Sequence, residues 1–230
     1  MPTDSEAAPT TANHQDLYQF LSNGAHVLCS QEEWLWDGGD NNRLIFYADG
    51  TGEMISRAEA IVKIVAGIQW KLLPSAGRVP IPARETIVIP PDHMHWSDVW
   101  RRPITRKKPT TLFAGIVELT ITKRRPLLYG SMVHNQINEE VLLDGAFETR
   151  RIDIVIENGE FGLACHYGAR GGIGPIYGFR LTFSTSPYPP IEMWRPEEHK
   201  TPEIMRHPQM RQFCARKLVD AQQSNTCSIM

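Results

Sequence analysis

Short runs of alternating apolar and polar residues recur along this chain and carry its strongest structural signal. Within residues 43–57, Leu44 and Phe46 fall on one face of an extended chain, and Ile45 and Tyr47 fall on the other. An Asp-Gly-Thr-Gly turn follows, and an Asp-Gly pair between two such runs favours a hairpin because both residues tolerate positive φ. The stretch therefore predicts a β-hairpin.

The same alternation predicts strands through most of the chain. In residues 111–122, Val117 and Leu119 share one face and Glu118 and Thr120 share the other, as in a strand buried on one side. Further strands are predicted over residues 24–30, 67–73, 85–89, 141–156, 161–167 and 176–184, with an Asn-Gly hairpin signal at 158–159. About eight to ten short strands favour an all-β fold. We expect a single antiparallel β-barrel, because closure leaves no exposed strand edge.

Helices are predicted only near the two ends of the chain. Apolar residues at helical spacing indicate a short N-terminal helix over residues 16–21 and a C-terminal helical extension over 208–222. We therefore expect residues 1–14 to be a disordered lead, residues 15–195 to form the barrel domain, and residues 196–230 to form an extension with a helix and a tail.

Charge and cysteine usage narrow the class of protein. The 230 residues carry 24 Lys and Arg against 26 Asp and Glu, and this balance argues against a nucleic-acid binder. There is no apolar run of about 18 residues and no apolar secretory segment at the N-terminus. The four cysteines form no Cys-x-x-Cys pair. These features predict a cytoplasmic protein with reduced thiols.

The last four residues fit a prenylation signal. Cys227 is followed by Ser, Ile and Met, and a C-terminal Met favours a farnesyl group. One lipid chain without a polybasic run would give only weak membrane association. The alternative is a chance match in a polar tail, so lipidation of Cys227 stays open at this point.

Several segments resemble a known group of proteins. Gly24-Ala25-His26 near the start and Arg180 within YGFRLTF resemble the lipocalin-like superfamily, in which a Trp stands at the position of His26. WDGGDNNRLIFYADGTGE and FSTSPYPP resemble fungal lipocalin-like proteins, some of them encoded near secondary-metabolite gene clusters. The resemblance covers residues 15–195. It implies a lipocalin-like barrel, and it implies cofactor-free cyclisation of polyketide intermediates, as by Diels–Alderases, as one activity.

Polar residues inside apolar strands are the candidate catalytic groups. Glu118, if it points into the barrel, is a candidate general acid or base. Arg180 and Tyr177, if they point inward, can polarise a carbonyl and stabilise developing negative charge. Alternation defines two faces but does not say which one is inside. The alternative is that these side chains face water.

Aromatic residues supply the candidate ligand-binding surface. An apolar ligand pocket needs many apolar walls and few polar groups, and Trp36, Trp70, Trp96 and His166 are the residues we expect to line it. Ordinary core packing is the alternative for each ring.

A metal site is the third possibility. His93 and His95 point the same way in an extended chain, and Asp98 is a nearby carboxylate. The pair resembles part of the cupin pattern but lacks the glutamate expected downstream.

The leading hypothesis is a cofactor-free cyclase or isomerase that acts on a small apolar, polyketide-derived molecule by holding it in a reactive shape. One alternative is a non-catalytic carrier of a small hydrophobic ligand, and the other is a cupin-like metal enzyme. We expect no cofactor, no nucleic-acid partner and a small apolar molecule as the ligand.

Overall fold

The structure is a computed structural model that describes residues 14–39, 41–58, 61–74, 108–126, 137–163 and 175–219. The described chain is mostly β, with eight antiparallel strands in one ring-like sheet. The strands are β1 (Trp34–Leu35), β2 (Asn42–Phe46), β3 (Thr51–Ala58), β4 (Ile61–Leu73), β5 (Thr110–Ile121), β6 (Arg150–Phe161), β7 (Ile176–Phe183) and β8 (Gln212–Val219). The helices are α1 (His14–Cys29) and α2 (Pro202–Arg206). Each strand pairs with the next, and the ring closes where Leu35 of β1 pairs with Cys214 of β8.

The first hairpin is confirmed. β2 and β3 pair from Asn42↔Ser56 to Phe46↔Gly52, and Gly50 adopts φ +82° in the turn. The Asp49 carboxylate accepts hydrogen bonds from the Thr51 backbone N–H at 2.9 Å and the Thr51 hydroxyl at 2.7 Å. These bonds hold the pKa of Asp49 below its usual range. The Asp-Gly pair predicts the hairpin correctly because Asp49 bonds to a residue of the turn itself and Gly50 adopts the positive φ that the turn requires.

Alternation along the strands produces an apolar inner face. In β5, Val117 and Leu119 are buried in the main core, whereas Glu118 and Thr120 lie on the outer face. The predicted strand over 111–122 is thus confirmed. Inner positions on all eight strands contribute to this core, among them Trp34, Leu44, Met54, Ile68, Leu119, Ile154, Leu181 and Phe213.

The N-terminal region differs from the expectation. The predicted short helix is part of α1, which has 16 residues, and the strand predicted over 24–30 is wrong because α1 extends to Cys29. α1 contacts β2, β4 and β5, and Leu28 is buried in the core. Gly24 disfavours a helix by itself, but its missing side chain lets the helix approach the Phe113 ring closely. Tertiary packing therefore decides the helical state here.

Replacing Gly24 by alanine tests this close approach. A Cβ at Gly24 would lie 2.3 Å from Cδ2 of Phe113, so the ring must move. Alanine gains about 1 kcal/mol in helix propensity, whereas overpacking costs about 1–3 kcal/mol. We expect Gly24→Ala to lower the melting temperature. Ser22→Ala, at an exposed position of the same helix, should leave it unchanged or raise it. Equal effects of the two substitutions in thermal denaturation would contradict the packing argument.

The C-terminal region also differs. The helix predicted over 208–222 is wrong, because residues 212–219 form β8 between β7 and β1. Phe213 and Ala215 enter the core from β8, so the ring needs chain beyond residue 195. The hairpin signal at 158–159 is wrong as well, because β6 continues through it to Phe161. In both places pairing with neighbouring strands overrides the local pattern.

The ring has two distinct ends. The helix end carries the turn between β2 and β3 and is covered by α1. The opposite end, which we call the covered end, is closed by residues 184–211, which we call the cover segment, and by the turns of residues 138–147. Within the described residues, no helix is both long and apolar enough to cross a membrane.

Candidate functional site

The predicted acid or base, Glu118, lies on the outer face of the ring. Its carboxylate forms an ion pair with Arg151 of β6, with an O···N distance of 2.8 Å, and Arg151 stands directly opposite it in the ladder. The Arg151 side chain is largely exposed. Glu118 is therefore not placed to act on a molecule inside the ring.

Arg180 and Tyr177 of β7 are also placed away from the main core. Arg180 pairs with Glu157 at 2.6 Å, and its guanidinium stacks 4.4 Å from the centre of the Phe161 ring. Tyr177 is buried in a second, smaller apolar cluster that includes Phe161 and Cys214. The structure thus brings Arg180 and Tyr177 near one ring, but it does not bring them to Glu118.

The described tryptophans lie at opposite ends of the ring. Trp70 is half-buried beside the turn at the helix end, where its indole N–H donates to the Thr51 carbonyl at 2.8 Å and its ring meets Phe46 edge-on. Trp36 is half-buried and follows β1, where its backbone N–H donates to the Asn42 carbonyl at the opposite end. The two rings therefore do not line one wall.

Other predicted residues lie outside the described part of the chain. These are Trp96, His166, the prenylation candidate Cys227, and the possible metal ligands His93, His95 and Asp98. Within the described ranges, no three His, Cys, Asp or Glu side chains gather as a metal-binding group.

A chain of buried polar side chains at the covered end was missed by the sequence analysis. Asn42 donates its amide N–H to the Asp37 carboxylate at 2.7 Å, and the Ser56 hydroxyl lies 2.8 Å from the Asn42 oxygen. Nε2 of His207, on the cover segment, lies 2.7 Å from the same hydroxyl. All four side chains are less than 9% exposed. This polar chain joins the β1–β2 loop, β2, β3 and the cover segment.

The order of the hydrogen bonds in the polar chain follows from donor capacity. The Asp37 carboxylate also accepts from two backbone N–H groups, so Asn42 must turn its amide nitrogen towards Asp37 and its oxygen towards Ser56. The single hydroxyl proton of Ser56 is then donated to Asn42, and His207 must donate its Nε2 proton to Ser56. A serine nucleophile needs the reverse order, with histidine accepting the hydroxyl proton. The polar chain therefore does not activate Ser56.

The His207 ring is held neutral by its surroundings. The Tyr188 ring stacks on it at 4.8 Å and the Trp194 ring lies at 5.2 Å. Burial lowers the pKa of His207 from 6.5 to about 3, because the charged imidazolium would lose its hydration. Nδ1 is buried and has no hydrogen-bond partner among the described residues. Ring stacking and one hydrogen bond thus position an uncharged histidine.

Further polar contacts attach the cover segment to the ring. The Tyr188 hydroxyl donates to the Ile55 carbonyl at 2.7 Å, and burial raises the pKa of Tyr188 well above its ordinary value. Lys63 of β4 pairs with Glu198 at 2.7 Å. Arg150 donates to the carbonyls of Pro187 and Tyr188. The covered end is therefore closed by buried hydrogen bonds, and its arrangement is structural.

The chain was compared with protein-family models, with curated proteins and with solved structures, and none of them matches. The resemblance to lipocalin-like proteins accordingly stays an expectation from the sequence.

Proposed function

We propose that this protein is a lipocalin-like carrier that binds a small apolar molecule inside the ring. One observation supports the proposal most directly. The inner face of the ring is apolar over most of its height, and the polar candidates Glu118 and Arg180 are ion-paired on the outside. An apolar interior favours transfer of apolar surface from water, at about 0.8 kcal/mol for each buried CH₂ group.

We place ligand entry at the helix end, where α1 would have to move aside. The covered end is closed by the polar chain and by the anchors of the cover segment, all of which would need to break. At the helix end, Trp70 remains half-buried beside the turn. The inner side chains pack against one another, so a ligand can enter only if some of them change conformation. Met54 on β3 is suited to this, because a methionine side chain is unbranched and flexible.

The carrier fits the inner face better than an acid–base enzyme. Ser56, Asn42 and His207 are buried polar groups at the covered end, and the protons in the hydrogen bonds that join them are already donated within the polar chain. A cyclase that works by confinement alone would use the same apolar interior. Turnover therefore distinguishes a carrier from the cyclase expected from the resemblance.

Binding inside the ring can be tested with neighbouring residues of β5. Val117 faces the core and Ile116 lies on the opposite face, so Val117→Phe adds volume to the interior and Ile116→Phe is the matched control. The neutral fluorophore N-phenyl-1-naphthylamine is titrated into each protein, with energy transfer from tryptophan as the readout. We expect roughly tenfold weaker binding for Val117→Phe, about 1.4 kcal/mol, because the larger ring takes up space that the ligand would occupy.

The controls make the outcome specific. Melting temperatures show whether each variant is folded, and Ile116→Phe should bind like the unsubstituted protein. Equal affinity of the two variants, or no binding by the unsubstituted protein, would show that the interior is not the site. The fluorophore should be recovered unchanged, and the same recovery assay on a polyketide-derived triene would detect its cyclisation and so favour the cyclase.

A further inference from the structure

A surface depression lies at the helix end, where β6, β7 and β8 come together. Its volume is about 230 Å³, and it is lined by Asn158, Gly159, Glu160, Gly178, Phe179, Arg216 and Leu218. None of these residues belongs to the polar chain at the covered end. The depression therefore offers a surface whose role is not explained by the proposed carrier function.

Arg216 gives the depression its most unusual feature. Its backbone adopts φ +57° within β8, and the pairing of β7 and β8 shifts register two residues further on, between Lys217 and Val219. A non-glycine residue in this region costs free energy and persists only where the surroundings impose it. Asn138 has a similar φ of +53°, and there the side chain makes two backbone hydrogen bonds. The Arg216 side chain makes no hydrogen bond to the backbone of the described residues. Local hydrogen bonding therefore does not explain why an arginine occupies this strained position.

The strained backbone places a cation beside an aromatic ring. The Arg216 guanidinium carbon lies 5.9 Å from the centre of the Phe179 ring, and no carboxylate of the described residues lies within ion-pair distance of it. Leu218 lines the same depression and is 47% exposed, which is high for a large apolar side chain. A guanidinium can form two parallel hydrogen bonds to a carboxylate while its neighbours pack on an apolar group.

Gly178 lines the depression and has no side chain to fill it. A Cβ at Gly178 would lie 3.3 Å from Cδ2 of Leu218, so a side chain there would occupy the space between the two strands. Asn158, on the β6 side, adds an amide that can donate a hydrogen bond. The depression thus combines a cation, Arg216, and an amide donor, Asn158, with the apolar surface of Leu218. These groups are complementary to a ligand with a carboxylate attached to an aromatic ring.

We propose that this depression binds the carboxylate of a small aromatic acid. The carboxylate pairs with Arg216, and the aromatic ring packs on Leu218 and on the small exposed part of Phe179, which is 8% exposed. Glu160 also lines the depression and repels the same carboxylate, which limits the affinity. The site lies beside the ring interior and does not depend on the carrier function.

The test uses 1-naphthoate as the probe and the uncharged 1-naphthamide as its matched control, with binding measured by calorimetry and by NMR shifts of the protein. Arg216→Gly removes the guanidinium and keeps a residue that adopts positive φ freely. We expect it to weaken naphthoate binding about tenfold or more, because a hydrogen bond to a charged group is lost. We expect the same variant to raise the melting temperature, because the backbone strain is relieved.

Two further variants complete the test. Lys217→Ala removes an exposed cation from the adjacent position of β8 and should leave naphthoate binding nearly unchanged. Glu160→Gln should tighten it. The proposal is overturned if the unsubstituted protein does not bind naphthoate, if naphthamide binds equally well, or if Arg216→Gly and Lys217→Ala weaken binding equally. Binding of N-phenyl-1-naphthylamine should not respond to Arg216→Gly, so failure of this site and failure of the carrier proposal give different results.

Discussion

Replacing Asn138 by alanine is expected to lower the free energy of unfolding by about 3 kcal/mol, because the buried backbone N–H and C=O of Val65 lose the side-chain amide that they bond to. The Asn138 oxygen accepts from the Val65 backbone N–H at 2.9 Å, and its amide donates to the Val65 carbonyl at 2.6 Å. Asn138 is fully buried, as is Val65.

The position of Val65 in the sheet explains the size of this effect. Among the described residues, β4 pairs with β5 from Ile68 onwards, and no described strand lies beside the edge of β4 at Val65. The Asn138 amide takes the place of that strand by offering one acceptor and one donor. Its left-handed backbone, with φ +53°, is one that asparagine tolerates better than most residues.

Asn138→Gly is the matched control for the backbone. Glycine adopts positive φ without strain but has no amide, so it should lose stability through the hydrogen bonds alone. We therefore expect the unsubstituted protein to be the most stable in urea denaturation, followed by Asn138→Gly and then Asn138→Ala. A glycine variant as stable as the unsubstituted protein would mean that the amide contributes nothing.

Acid is expected to destabilise the protein through His207. The pKa of this side chain is about 3 in the folded state against an ordinary 6.5, so the unfolded state binds the proton first as the pH falls. The stabilising contribution of the neutral histidine is complete above pH 6.5 and is lost as the pH decreases from there towards 3. The loss at the acid limit is on the order of 5 kcal/mol.

The surroundings of His207 offer little to stabilise a positive charge. Tyr188 and Trp194 cover the ring with aromatic surface, and Ser56 already accepts the Nε2 proton. The nearest carboxylate along the polar chain is Asp37, which is separated from the ring by Asn42 and Ser56. Protonation must therefore expose the ring, and we expect the cover segment to detach first.

His207→Gln isolates this contribution. The glutamine amide can still donate to Ser56, but it does not titrate. The free energy of unfolding, measured in urea from about pH 7 to about pH 4, should fall more steeply for the unsubstituted protein than for His207→Gln. Carboxylates elsewhere titrate in both proteins, so the difference between the two profiles reports His207. Parallel profiles would contradict the assignment.

The sequence by itself determined the features that depend on neighbouring residues. The hairpin of β2 and β3 was predictable because Asp49 and Gly50 make their own turn, and β5 was predictable because alternation is a property of the strand alone. From these signals the all-β class and the antiparallel pairing followed, since short strands with tight turns pair with their neighbours.

Only the tertiary structure decided what depends on distant contacts. Gly24 became helical because Phe113 packs against it, and residues 212–219 became a strand because β7 and β1 offered free edges. Alternation could not say that Glu118 faces outward, because that choice rests on which face the other seven strands enclose. Ser56 and His207 are 151 residues apart, and their bond exists only because the ring and the cover segment bring them together.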